Sequence, residues 1–122
     1  MSRSLFTSRN GGVSVAPFES LNLALHVGDD PGSVTKNREI LASNCGAAPT
    51  AFHFMNQVHG NDISIVTEDS SPSDVPTADA LFTTIPGRFL VTLIADCIPL
   101  LLRSQRAVAA VHRSPGFGTR SV

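Results

Sequence analysis

The sequence predicts an α+β domain, mainly β with one clear helix. Three observations carry that reading. Residues 31–45 have the start signal, the face and the stop signal of a helix. Residues 51–58, 62–67, 78–84, 89–96 and 107–112 are short apolar segments separated by turn residues, as strands are. Two of these, 89–95 and 107–111, are continuously apolar, which predicts strands covered on both faces.

The elements follow in order. Residues 4–7, "SLFT", read as a short strand, and "SRNGGVS" breaks it, since Asn-Gly-Gly is a strong turn signal. "FESLNLALHVGDD" mixes polar and apolar groups and ends in an acidic turn. Asp30-Pro31 then starts a helix, with Asp as N-cap and Pro at the first helical position. Val34, Arg38, Leu41 and Cys45 fall near one face, the long Arg38 stem lying along it, and Gly46 suits the position just past the end. "AFHFMNQV" (51–58) and "DISIVT" (62–67) are strands joined by the turn "HGN", with His53 on an alternating strand and pointing to the surface. "EDSSPSDVPT" (68–77) is an exposed loop; "ADALFTT", "FLVTLIAD" and "AVAAVH" complete the strands.

Composition narrows the function. The chain has 122 residues, one small domain, with 42% hydrophobic residues to build a core. Charged residues make up 16%, below the roughly 25% of an average domain, and net charge is −1. No field attracts nucleic acid or an acidic membrane, and with Trp and Tyr absent only seven Phe remain to stack on bases. The longest apolar run, Phe89 to Leu102, is too short to span a bilayer and contains Asp96. Two cysteines make no disulfide framework, and "MSRSLFTSRNGG" has no apolar signal segment. A cytoplasmic protein with reduced thiols is expected.

"LIADCIPLLL" (93–102) sets Asp96 and Cys97 inside an apolar run. A buried charge must be paired, bound to a metal or neutralised. Cys97 has partners of the right kind elsewhere: His59 follows "FMNQV" and His112 follows "AVAAV", each at the end of a predicted strand. Two His and one Cys form a zinc set that leaves one position open for water or substrate. The alternative is that each is an ordinary turn or core residue.

"FTSRNGGVS", "SLNLALHVGDDPGSVTKNRE", "MNQVHG", "ADALFTT", "TLIADCIPLLL" and "VAAVH" occur in this order over residues 5–112. Together they closely resemble the YfiH/laccase-domain family, whose members are described as polyphenol oxidase, peptidoglycan editing factor or purine nucleoside phosphorylase. The resemblance implies mixed β-sheets with packed helices. It also implies a metal-dependent phosphorolysis of adenosine, inosine and guanosine, together with deamination of adenosine. Carried over by motif, the zinc ligands and catalytic centre are His59, Cys97 and His112. Asn22, His26, Arg38 and Gln57 stand as substrate-binding candidates; Arg38 or Arg9 would meet phosphate. Asn22 could equally cap a turn, and His26 and Arg38 have ordinary structural readings. Asp79 would pin a loop near the site, and Asp96 would orient a ligand or bond backbone. Cys45 packs on the helix. Purine nucleosides and phosphate are the expected partners, with no nucleic acid and no membrane. Copper in a polyphenol oxidase is the alternative to zinc; a Cys97 hydrolase activated by His59 or His112, and an inactive gene fragment, are others.

One departure stands out. Family members continue after "AVH" with "AGWRG" and a further helix-and-sheet portion, whereas this chain reads "HRSPGFGTRSV". The expectation is that 1–122 is the N-terminal portion of a single domain of this family, incomplete at its C-terminus, with 113–122 an aberrant tail. Suitable codons for Gly116–Val122, read one nucleotide on, give Gly-Leu-Ala-Arg-Gly-Val, so a frameshift shortly after His112 is expected.

Overall fold

The computed structural model describes residues 4–94 and 98–113. Cys97, Asp96 and nearly all of the unusual tail lie outside the described residues. The chain divides into two compact units, Leu5–Pro49 and Met1–Ser4 with Thr50–Val122. The architecture is α+β, with one mixed four-stranded sheet, one parallel two-stranded sheet and one α-helix.

In the unit of residues 5–49, helix α1 spans Pro31–Asn44. Asp30 caps it as predicted, its carboxylate accepting from the Ser33 backbone N–H at 3.0 Å. Gly46 sits at φ 69°, left-handed, while its N–H donates to Ser43 and that of Ala47 to Ala42, a Schellman end. The buried face differs in detail from the predicted one. Val34, Asn37, Leu41 and Ala42 are buried, whereas Arg38 and Cys45 are half-buried. Asn37 holds the unit together. Its Oδ1 accepts from Val13 N–H at 2.8 Å, and its Nδ2 donates to Ser14 Oγ at 2.9 Å and to the Asn22 carbonyl at 2.8 Å. A Cβ on Gly12 would lie 2.1 Å from the Ser20 carbonyl oxygen and 2.6 Å from Asn37 Oδ1, so only glycine fits that approach. Residues 4–7 form no strand: they pair with no neighbour, and Leu5 and Phe6 are exposed.

In the other unit, β1 (Phe52–His53) pairs in parallel with β4 (Phe89–Leu90). The Phe52 and Phe89 rings stack with centres 4.5 Å apart. The larger sheet runs β2-β3-β6-β5, from β2 (Ile63–Val66), β3 (Ala80–Thr83), β6 (Val108–Arg113) and β5 (Ile98–Arg103). β2 and β3 are parallel; β3, β6 and β5 run antiparallel. The predicted strands at 62–67, 78–84 and 107–112 form, and those at 51–58 and 89–96 shrink to two residues each. Beyond Phe52–His53, Asn56 makes only one isolated bridge, to Thr77. β5 was not predicted. Pro99 argues against a central strand, and β5 lies at the sheet edge, where a missing N–H is tolerated.

The core cluster of this unit is Met55, Val66, Ala78 and Leu81, with Leu90 against it. Val66, Leu81, Thr83, Ala110 and His112 are buried on one face of the sheet. The expectation that 107–111 is covered on both faces holds for one face only: Ala109 and Val111 are half-buried. Beside them, Ile63, Ile65, Leu100 and Leu102 are exposed. His53 also departs from expectation. It is buried, 4% exposed, because residues 52–55 all point into packed surroundings and do not alternate. No helix among the described residues is long and apolar enough to cross a membrane.

Candidate metal site

His112 is the penultimate residue of β6, and β6 is central in its sheet, so its ring is carried on a rigid element. The ring is buried and its Nδ1 lies 3.0 Å from Asp79 Oδ1. Asp79 directly precedes β3, the neighbour of β6, and its carbonyl accepts from the His112 N–H at 2.7 Å. Backbone ladder and side chains therefore agree on the placement of this pair.

His59 lies on the turn between the Asn56 bridge and β2. It is exposed, and its backbone is left-handed at φ 61°. For a non-glycine residue that conformation costs about 1–3 kcal/mol and persists only where the surroundings impose it. Here they do. The Asp79 carboxylate accepts three successive N–H groups, from Val58 at 3.1 Å, His59 at 2.9 Å and Gly60 at 2.7 Å. Successive amides turned inward in this way make an anion nest. Burial pushes the Asp79 pKa up, but the bonds from Gly60, His112, His59 and Val58 outweigh it and hold the carboxyl below its usual range.

The result is that His59 and His112, 53 residues apart in sequence, have ring centres 5.1 Å apart at an interplanar angle of 53°. Two imidazoles that bind one tetrahedral ion through nitrogens at about 2.0–2.1 Å have ring centres about 5 Å apart. The separation fits a shared ion. Among the described residues no group of three or more His, Cys, Asp or Glu side chains could hold a metal. The pair accordingly calls for a further ligand, and the Cys97 predicted for that role lies outside the described residues.

The other predicted residues fall elsewhere. Both polar ends of Gln57 engage one backbone residue: Nε2 donates to the Leu93 carbonyl at 2.7 Å and Oε1 accepts from the Leu93 N–H at 2.8 Å. Gln57 thus ties the start of the His59 turn to the chain four residues before Cys97. Asn22, His26 and Arg38 belong to the unit of residues 5–49. Asn22 closes a turn, its Oδ1 accepting from Ala24 N–H, and its Nδ2 lies 3.2 Å from Asp29 Oδ2. Arg38 donates through Nε and Nη2 to the Leu23 carbonyl, at 3.0 and 2.7 Å, and burial lowers its pKa. His26 is exposed on the short 3-10 turn Leu25–Val27. Arg9 donates to the Glu19 carbonyl. The residue whose weight sequence reasoning underrated is Asp79; a single acidic residue opening the β-like run "ADALFTT" was the available signal.

Comparison with known proteins agrees with this architecture. A purine nucleoside phosphorylase of Streptomyces coelicolor is 47% identical over 115 residues, covering 92% of this chain and 48% of that protein. One from Corynebacterium glutamicum is 45% identical over 115 residues, covering 90% and 46%. The solved structure of YfiH from Bacillus licheniformis superposes with a TM-score of 0.84 at 31% identity, covering 87% of this chain and 43% of that one. YlmD from Geobacillus stearothermophilus gives 0.83 at 37%, covering 88% and 43%. The chain spans about half the length of the curated relatives it matches. The model of the family described as multi-copper polyphenol oxidoreductase laccase matches residues 3–114, and the chain belongs to that family, in which YfiH is a structural neighbour.

Proposed function

We propose that this chain carries the metal centre of a zinc-dependent purine nucleoside phosphorylase, with His59, Cys97 and His112 as ligands. The observation that carries the reading is the His59–His112 pair, two imidazoles from distant segments at the separation a shared ion requires. The names of the relatives supply the reaction class. Adenosine, inosine and guanosine are the proposed substrates, with phosphate as co-substrate and deamination of adenosine as a second activity.

A bound zinc ion supplies a Lewis acid and an activated water near neutral pH. The protein's own part is positional. β6 holds the His112 ring, the nest around Asp79 holds the His59 turn, and Gln57 ties that turn to Leu93. In the other unit, Arg38 and Asn22 order the segment from Asn22 to Asp29 that carries His26. Asn22 and His26 are the proposed contacts to substrate there.

Copper in a polyphenol oxidase is the second reading, favoured by the description of the matched family. Imidazole and thiolate suit copper as well as zinc. A three-ligand set is nevertheless too small for a multi-copper cluster. Metal analysis of the purified chain, with zinc and copper titrations of His59→Ala, His112→Ala, Cys97→Ala and Cys45→Ala, tests both. Zinc retained by wild type and Cys45→Ala, and lost by the other three, is expected. Copper as the retained metal, or equal zinc affinity in all four variants, rejects the zinc reading. Phosphate-dependent release of hypoxanthine from inosine, by a form continued to the relatives' length, tests the reaction.

A further inference from the structure

We propose that Asp79 is the positioning residue of the histidine pair: one buried carboxylate both selects the metal-binding tautomer of His112 and sets the backbone turn that presents His59. The inference rests on the metal reading above and goes beyond its ligand set.

The first half follows from donor and acceptor accounting. Asp79 Oδ1 accepts from the Val58 and His59 backbone N–H groups, and Oδ2 from that of Gly60. Every backbone partner is a donor, so the carboxylate acts as an acceptor throughout. The His112 Nδ1 facing the same Oδ1 at 3.0 Å must then carry the hydrogen. In a neutral imidazole the lone pair is left on Nε2, the nitrogen turned away from Asp79. A metal-binding histidine commonly donates its other N–H to a carboxylate in this way, which fixes both ring and tautomer.

The second half follows from the turn. A left-handed backbone at His59 is what brings the N–H groups of residues 58–60 round to one anion. Remove the anion and three inward donors lose their acceptor. Asp79 is itself fixed by backbone bonds on both sides, its N–H donating to Asp62 at 3.1 Å and its carbonyl accepting from His112. One anchor, 2% exposed, therefore governs the distance between two rings from separate segments. Two independent anchors would let that distance drift.

Asp79→Asn separates positioning from mere packing. The side chain keeps its size, but one of its two polar ends becomes a donor. That donor either opposes the Gly60 N–H or faces His112 Nδ1 and drives the ring to the Nε2–H tautomer. Zinc affinity, measured with zinc ion against a chromophoric chelator, should fall by about 10–100-fold, the usual effect of losing such a partner. In metal-free wild-type protein, 15N spectra of the histidine rings should show His112 protonated at Nδ1. That measurement needs no variant and stands even if Asp79→Asn fails to fold. His112 found as the Nε2–H tautomer overturns the proposal. So does a folded Asp79→Asn protein that binds zinc within twofold of wild type while His112→Ala loses it. Unchanged zinc affinity in His112→Ala instead overturns the metal reading, and this proposal with it.

Discussion

Asn37→Ala should be the most costly polar truncation in the unit of residues 5–49. Asn37 is 0% exposed and makes three hydrogen bonds, to Val13 N–H, Ser14 Oγ and the Asn22 carbonyl. The Ser14 hydroxyl donates to Asp29, so it can only accept from Asn37, and the amide orientation is settled by its neighbours. At about 1 kcal/mol net per bond, the loss is about 3 kcal/mol. A domain's whole margin is about 5–15 kcal/mol, so this is a large share of it. With a urea slope of about 1–3 kcal/mol/M, the midpoint should drop by about 1–3 M. Urea unfolding followed by circular dichroism gives the midpoint, and hydrogen exchange at Val13 N–H reports the local bond. Asn37→Asp should cost at least as much, since it places a carboxylate oxygen against the Asn22 carbonyl. A loss below about 1 kcal/mol in Asn37→Ala, with Val13 still protected, would refute the reasoning, because three buried partners cannot lose their amide at no cost.

Other expected outcomes are more local. Leu81→Ala, at a fully buried position packed with Met55, Val66 and Ala78, should cost about 2–5 kcal/mol in denaturant unfolding, against under about 0.5 kcal/mol for Leu102→Ala on the exposed face; equal losses would contradict the assignment of the two faces. His53 is buried with its Nε2 unpartnered, and burial, followed by the charge of Arg88, lowers its pKa. The unfolded chain therefore takes up a proton that the folded chain resists as pH falls below about 6.5. This contribution to stability is intact above that pH and is lost as pH falls through the lowered folded value. His53→Leu should flatten the decline, and an unchanged pH profile of unfolding would show that His53 does not cause it. Asp79 acts lower on the scale: its contribution is present above about 3.8 and is lost as pH falls through its lowered folded value, which amide protection at Gly60 should follow.

The parts of this protein legible in its sequence are those set by neighbours along the chain. Asp30, Pro31 and Gly46 mark the ends of α1 because capping uses groups within a turn of the helix end. The strands at 62–67, 78–84 and 107–112 were readable because their apolar runs are bounded by turn residues. His59 and His112 were singled out by residue type and motif. Their convergence to 5.1 Å was decided only in three dimensions, by the β3–β6 ladder and the three amides gathered on Asp79. The same holds for the residues misjudged. A lone Asn in a helix and a lone His beside phenylalanines look like surface residues, since sequence does not show which distant carbonyls, amides or rings will surround them. Asn37 is buried because Val13, Ser14 and Asn22 supply its partners, and β5 exists despite Pro99 because β6 offers it an edge. Burial of a polar group is a property of its partners, and partners from other segments are chosen by tertiary structure.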